Sequence, residues 1–348
     1  MRALARTFGS CWVVLVIAGC GGATPAPETG GTTPPAGTGA PPADTASLPP
    51  GPEPAPTAEL MAGIKAFDAG SYADARKSFE AATKKAPTNF EAFFDLGQAC
   101  EKLGDKTAAE AAYKSALAVK PELDAAAAAL GTLYIDAGRF DEAVDVSKSG
   151  LSRRPGSVPL HENLGVALAA KGDQDGARAE LEQAAKLAPG DAMTQLTLAH
   201  WLNAWHVHEA KPHLDLALQA AKDDYGMLAS IGLEYRMAGE FDSCIKTFDH
   251  AVQLKDGGEV RTGRALCKLG SKDEKGCLDD LQAAVAAEPS YAPAHYYLGG
   301  RLASGHHYKE AAAEYAKYLD LAPNGSLAKQ AAERKKLALD AAKSPKKK

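Results

Sequence analysis

From about residue 57 onward the chain reads as one helix after another, rich in Ala, Leu, Lys and Glu, and the pattern of large, small and polar positions repeats. A set of marker positions returns at a step of 34 residues through four units. The markers are Gly63, Ala75, Phe79, Ala82 and Pro87, then Gly97, Ala109, Tyr113, Ala116 and Pro121, then Gly131, Ala143, Ser147, Gly150 and Pro155, then Gly165, Ala177, Leu181, Ala184 and Pro189. A period held this long predicts a repeat architecture.

The residue types at these positions predict pairs of closely packed helices. Small residues such as Gly97 and Ala109 allow two helices to approach, and large ones such as Tyr113 fill the space between repeats. The prolines end each second helix. A second set of glycines falls between the paired helices, where the chain needs a positive φ. These turn glycines are Gly70, Gly104, Gly138 and Gly172.

The unit resembles the tetratricopeptide repeat, in which an aromatic residue, Leu-Gly and Tyr mark the first helix. Phe93, Leu96 and Gly97 match that signature in the second unit, and Leu130, Gly131 and Tyr134 match it in the third. The resemblance implies an all-α fold: a right-handed superhelical solenoid of about eight helix-turn-helix repeats over residues 57–323. A capping helix over residues 324–342 and a basic tail over residues 343–348 follow.

The second half of the chain departs from the pattern. The fifth unit is one residue shorter and lacks both the turn glycine and the final proline, and His206 stands at the turn position. His306 occupies the same place in the eighth unit. The seventh unit carries two extra residues in its turn.

The resemblance also implies a concave inner face, built mainly from the first helices, that binds a peptide or an amphipathic helix. The partner-binding candidates are Phe94, Gln98, Ile135, Glu162, Val166, Leu196, His200, Leu233, Arg236, Arg264, Lys268 and Tyr296. Each of them has the alternative of packing against its own neighbours. The Lys and Asn pattern with which some chaperone-binding relatives hold a terminal carboxylate is not matched here.

The first residues have the layout of a secretory signal: Arg2 and Arg6, an apolar run over residues 11–17, and then small residues. Residues 17–20 resemble the lipobox of bacterial lipoproteins, which implies removal of residues 1–19 and lipidation of Cys20. Three acyl chains would anchor the protein stably. Gly21 after the cysteine favours the outer membrane, with the protein facing the periplasm.

Residues 20–56 are rich in Pro, Gly and Thr and hold almost no large apolar side chains. Such a tract buries too little surface to fold, so we expect a disordered tether. As a flexible coil it would reach about 35 Å.

The composition and the absence of known motifs argue against several classes of function. The formal net charge is -5, so the chain lacks the basic excess of a general nucleic-acid binder. We find no phosphate-binding glycine loop, no nucleophile elbow and no paired carboxylates. We therefore predict no enzymatic activity, no cofactor and no small-molecule substrate.

The cysteines raise the question of a disulfide, and the histidines raise the question of a metal site. Cys267 and Cys277 lie on the two helices predicted for one repeat, so a disulfide between them is possible in an oxidising compartment. Cys100 and Cys244 read as buried free thiols. His206, Glu209 and His213 are weak candidates for a metal site, and turn and surface roles are favoured for them.

These features together predict a lipid-anchored, non-enzymatic scaffold of the bacterial cell envelope that binds protein partners along its inner groove. The runner-up is a pilotin-like assembly factor for a secretin or type IV pilus pore. A metal-binding envelope protein using the histidine cluster is the second alternative.

Overall fold

The computed structural model describes residues 57–343, and within this range the chain forms seventeen α-helices and no β-strand. The predicted signal peptide, Cys20, the tether and residues 344–348 lie outside the described residues. The helices, numbered in chain order, are α1 Ala58–Asp68, α2 Tyr72–Lys85, α3 Phe90–Lys102, α4 Lys106–Val119, α5 Asp124–Asp136, α6 Phe140–Arg153, α7 Val158–Ala170, α8 Gln174–Leu187, α9 Ala192–Ala204, α10 Ala210–Ala221, α11 Tyr225–Met237, α12 Phe241–Leu254, α13 Gly258–Gly270, α14 Glu274–Ala287, α15 Ala292–Ser304, α16 Tyr308–Leu321 and α17 Ala328–Lys343.

Consecutive helices pack in pairs, from α1 with α2 to α15 with α16, and α17 packs against α16. The predicted all-α solenoid of eight helix pairs with a closing helix is therefore confirmed. The closing helix ends one residue later than predicted, at Lys343. None of the helices over residues 57–343 has the length and hydropathy that crossing a bilayer requires.

Polar side chains begin many of the helices by accepting a hydrogen bond from an otherwise unpaired backbone N–H. Asp105, for example, accepts from the backbone nitrogen of Ala108 at 3.0 Å. The residues that cap a helix in this way are Thr57, Asn89, Asp105, Asp173, Asp191, Asp224 and Asp273. Each cap marks the residue at which its helix begins.

The turn inside each helix pair is a tight one with a residue of positive φ. All four predicted turn glycines adopt it, with φ between 71° and 86°. In one such turn the nitrogens of Gly104 and Asp105 donate to the oxygens of Glu101 and Cys100, each at 2.9 Å. His206 (φ 58°) and His306 (φ 64°) take this conformation where the repeat lacks its glycine. The positions expected for them are thus confirmed.

The core lies between the paired helices, where a glycine of the first helix faces a large side chain of the second. A Cβ added at Gly97 would lie 2.4 Å from the Tyr113 ring, and Tyr113 is fully buried. Gly63 faces Phe79 and Gly232 faces Phe248 in the same manner. The small residue is required because the ring occupies the space of its side chain.

Candidate protein-binding face

The odd-numbered helices form a layer of their own. From α5 to α15 each of them contacts the next odd-numbered helix, and α1 also contacts α3. Even-numbered helices make no comparable contacts with one another within the described part of the chain. The odd-numbered helices are therefore the more closely spaced, inner side of the solenoid, and we call this layer the inner face.

All twelve partner-binding candidates lie on odd-numbered helices, but most of them already contact neighbours. Leu233 is exposed, whereas Leu196 and Tyr296 are buried. The other nine are half-buried: Phe94, Gln98, Ile135, Glu162, Val166, His200, Arg236, Arg264 and Lys268. Only part of the predicted set is thus available to a ligand without rearrangement.

Arg264 and Lys268 of α13 form ion pairs inside their own repeat. Two nitrogens of the Arg264 guanidinium donate to the Asp280 carboxylate at 2.8 and 2.5 Å, and Lys268 Nζ lies 2.8 Å from Asp280 Oδ2. Burial alone would raise the pKa of Asp280, but these hydrogen bonds hold that pKa below its ordinary value. The two cations therefore stabilise the contact between α13 and α14.

His200 joins two neighbouring repeats. Its Nδ1 lies 2.8 Å from Glu234 Oε1, and the amide of Asn203 donates to Glu234 Oε2 at 2.8 Å. The three side chains connect α9 to α11. This network fixes the spacing of two inner helices.

Glu162 on α7 is a half-buried acid without a full set of partners. Its Oε1 is buried and accepts no hydrogen bond. Burial raises the pKa of its carboxyl group, and a hydrogen bond from Thr194 only partly opposes that change.

The sequence interpretation missed two exposed apolar side chains of the inner face. Met193 on α9 is 53% exposed and Met237 at the end of α11 is 57% exposed, compared with 38% for Leu233. Each methionine stands outside the packing positions of the repeat, and this could have identified both from the sequence. Flexible methionines suit surfaces that accept differing apolar partners.

The histidine cluster does not form a metal site. Within residues 57–343, no group of three or more His, Cys, Asp or Glu side chains is arranged to hold a metal ion. Glu209 accepts a hydrogen bond from Arg178 at 2.6 Å, and His213 Nδ1 lies 2.8 Å from Gln195 Oε1. Burial lowers the pKa of His213.

The predicted cysteine pairing is wrong. Cys267 pairs with Cys244, with their Cα atoms 5.9 Å apart, and not with Cys277. Cys100 and Cys277 are the buried free thiols. The pair joins α12 to α13, because the crossing of helices from adjacent repeats places these two side chains face to face, whereas spacing along the chain does not reveal that crossing.

A family model for the tetratricopeptide repeat matches residues 60–128 and 128–192. Among curated proteins, "Cellulose synthase operon protein C" of Xanthomonas axonopodis pv. citri (strain 306) is 30% identical over 194 residues, which are 52% of this chain. The chain spans 12% of that relative's length.

Two solved structures share the fold. Yeast Tom70 has a TM-score of 0.53 and 16% identity, covering 81% of this chain and 63% of its own. The APC/C hetero-tetramer Cut9–Hcn1 has a TM-score of 0.50 and 16% identity, covering 81% and 55%. At this identity the likeness shows the architecture alone.

Proposed function

Since the chain is a tetratricopeptide repeat protein, we propose that it is a non-enzymatic scaffold that binds segments of other proteins on its inner face. The fold supports a role in protein–protein interaction. The observation that carries the proposal is the set of exposed apolar side chains on the inner face, Met193, Leu233 and Met237. Exposed apolar side chains gain free energy when a partner covers them.

The second part of the proposal concerns location. We propose that Cys20 carries a lipid anchor in the bacterial cell envelope, with the outer membrane favoured, and that the solenoid faces the periplasm. The support is the lipobox-like sequence of residues 17–20 and the proline-rich residues that follow it. Confinement to a membrane raises the effective concentration of any envelope partner that the solenoid holds.

The binding face can be tested by affinity capture from an envelope extract with the full chain as bait. One variant carries Met193→Glu, Leu233→Glu and Met237→Glu. The matched control changes three side chains of similar exposure on even-numbered helices, Leu187→Glu, Leu216→Glu and Leu254→Glu. Circular dichroism establishes that all three baits are equally folded.

We expect the native chain and the control to retain the same proteins, and the inner-face variant to lose them. Equal retention by the inner-face variant and the control would contradict the proposal. The identity of the captured proteins separates the two envelope roles, because a secretin subunit would favour the pilotin-like alternative.

The anchor is tested separately by mass spectrometry of the membrane fraction. We expect an amino-terminal peptide that begins at Cys20 and carries acyl groups. Cys20→Ser should leave the protein without lipid, whereas Cys11→Ser, which lies before the expected cleavage site, should leave the modification intact. An unmodified Cys20 in the native protein would refute this part of the proposal.

A further inference from the structure

A pocket of about 430 Å³ opens between α13, α15 and α17, at the carboxyl-terminal end of the inner face. Its size falls within the range of sites that hold small ligands or side chains. Its walls combine apolar, aromatic and basic side chains. The principal ones are Leu266, Leu269, Tyr296, Tyr297, Arg301 and Arg334.

The two arginines of this pocket form no ion pair, unlike five of the other eight arginines among residues 57–343. Arg76, Arg139, Arg178, Arg261 and Arg264 each form an ion pair with Asp or Glu. Neither Arg301 nor Arg334 pairs with a carboxylate among residues 57–343. Two guanidinium groups on different helices thus lie at one pocket without an ion pair to a carboxylate of the described chain.

Packing holds Arg334 at the pocket. Its guanidinium carbon lies 5.2 Å from the centroid of the Tyr296 ring. Its Nη1 lies close to Gly300, where an added Cβ would be in ordinary contact with it at 3.7 Å. Tyr296 is itself held by a hydrogen bond from its hydroxyl to Gln330 Oε1, 2.9 Å long. A cation stacked on a buried ring is restrained before a ligand arrives.

Arg301 is on α15, lines the same pocket and lies near Cys277. Burial raises the pKa of the Cys277 thiol to about 11, and the charge of Arg301 opposes that change. Cys277 also lines the pocket. The positive charge of Arg301 therefore acts on the pocket interior.

We infer that this pocket binds an acidic segment of a partner protein, in which an Asp or Glu side chain stands next to an aromatic or aliphatic one. Guanidinium groups prefer planar carboxylates, with which they form paired hydrogen bonds. The Leu and Tyr side chains of the walls receive the neighbouring apolar residue. The inference rests on the proposal that the inner face docks protein segments, and it names the chemistry of one such segment.

The test measures binding of the full chain to the fluorescent peptide GSDFELDGSG, blocked at both ends, by fluorescence anisotropy at moderate salt. Its neutral twin, GSNFQLNGSG, differs only in the acidic groups. We expect the acidic peptide to bind about tenfold more tightly than the neutral one, because only the former supplies charged acceptors.

Two variants of the protein locate the binding. Arg301→Gln with Arg334→Gln should weaken binding of the acidic peptide about tenfold or more. Lys309→Gln with Lys317→Gln, which removes the same charge from the exposed surface of α16, should change the affinity less than about twofold.

Equal affinity for the two peptides, no binding of either, or equal weakening by the arginine and lysine variants would overturn the inference. Such a failure is separable from failure of the proposed function. If envelope proteins still depend on Met193, Leu233 and Met237 while the acidic peptide is ignored, only the pocket assignment is wrong.

Discussion

Two carboxyl groups, on the half-buried Glu162 and the buried Asp280, differ in what surrounds them. Asp280 receives hydrogen bonds from Arg264 and Lys268, which hold its pKa below the ordinary value against the effect of burial. Glu162 has an unpartnered Oε1, and burial raises its pKa. The folded state therefore favours the anionic form of Asp280 and disfavours the anionic form of Glu162.

Glu162→Gln should make the solenoid more stable than the native protein at neutral pH. A raised pKa in the folded state means that the folded protein holds the proton more tightly, so its contribution to stability is present in acid and lost as pH rises through the folded pKa. The advantage of the variant should shrink as pH falls through and below the ordinary carboxyl range, where Glu162 gains its proton in the folded and the unfolded state. The measurement is the guanidinium unfolding midpoint at roughly pH 4 and pH 7.

The exposed Glu91→Gln on α3 is the matched control and should show no such pH dependence. A Glu162→Gln protein that is less stable than the native one at neutral pH would mean that the carboxylate has a partner that this geometry lacks.

Among the helices, α13 and α14 illustrate how a charged cluster can replace part of an apolar contact. Asp280 is 4% exposed and lies on the face of α14 that meets α13. Arg264 also reaches Asp249 of α12 at 2.7 Å. The cluster therefore joins two repeats, near the Cys244–Cys267 pair that links the same helices.

Asp280→Asn should destabilise the protein by about 3 kcal/mol, because it leaves the half-buried Lys268 without its counter-charge and the half-buried Arg264 with Asp249 alone. The adjacent and exposed Asp279→Asn should change stability by less than about 0.5 kcal/mol. Thermal and guanidinium unfolding of the three proteins measure both values.

The loss should also shrink in acid. The lowered pKa of Asp280 means that its stabilising effect is present above the ordinary carboxyl range and lost as pH falls through the folded pKa. Equal effects of the two substitutions, or a loss that grows in acid, would show that the ion pairs do not stabilise the contact between α13 and α14.

For the helices, the repeat pattern predicts some structural features and not others. Helix pairs, turn glycines and the two turn histidines follow from local spacing, since each depends on contacts within a few residues. The contacts that Arg264 and Lys268 make do not follow from local spacing. Both fit an inner-face pattern, but the rotation of α13 against α14 turns them toward Asp280.

At the scale of the whole molecule, the helices of the described chain follow one another in a linear array. Substantial contacts between helices join only neighbours or next neighbours in chain order. Stability in such an array is approximately a sum of each repeat and its interfaces. A local perturbation should therefore stay local.

Hydrogen exchange provides the measurement. Asp280→Asn should raise exchange in α13 to α16 and leave α1 to α6 unchanged. Gly97→Ala, which places a methyl group 2.4 Å from the Tyr113 ring, should do the reverse. Exchange that rises along the entire array in either variant would show that the solenoid unfolds as a single cooperative unit.

The sequence by itself determined the repeat length, the helix pairs and the turns, because these depend on short-range backbone geometry and on small residues facing large ones. Tertiary structure alone decided that Cys244 meets Cys267, that Met193 and Met237 stay exposed, and that Arg301 and Arg334 share a pocket. The physical reason is that these outcomes depend on how neighbouring helices cross and rotate, and a shift of a few ångströms there changes which side chains meet.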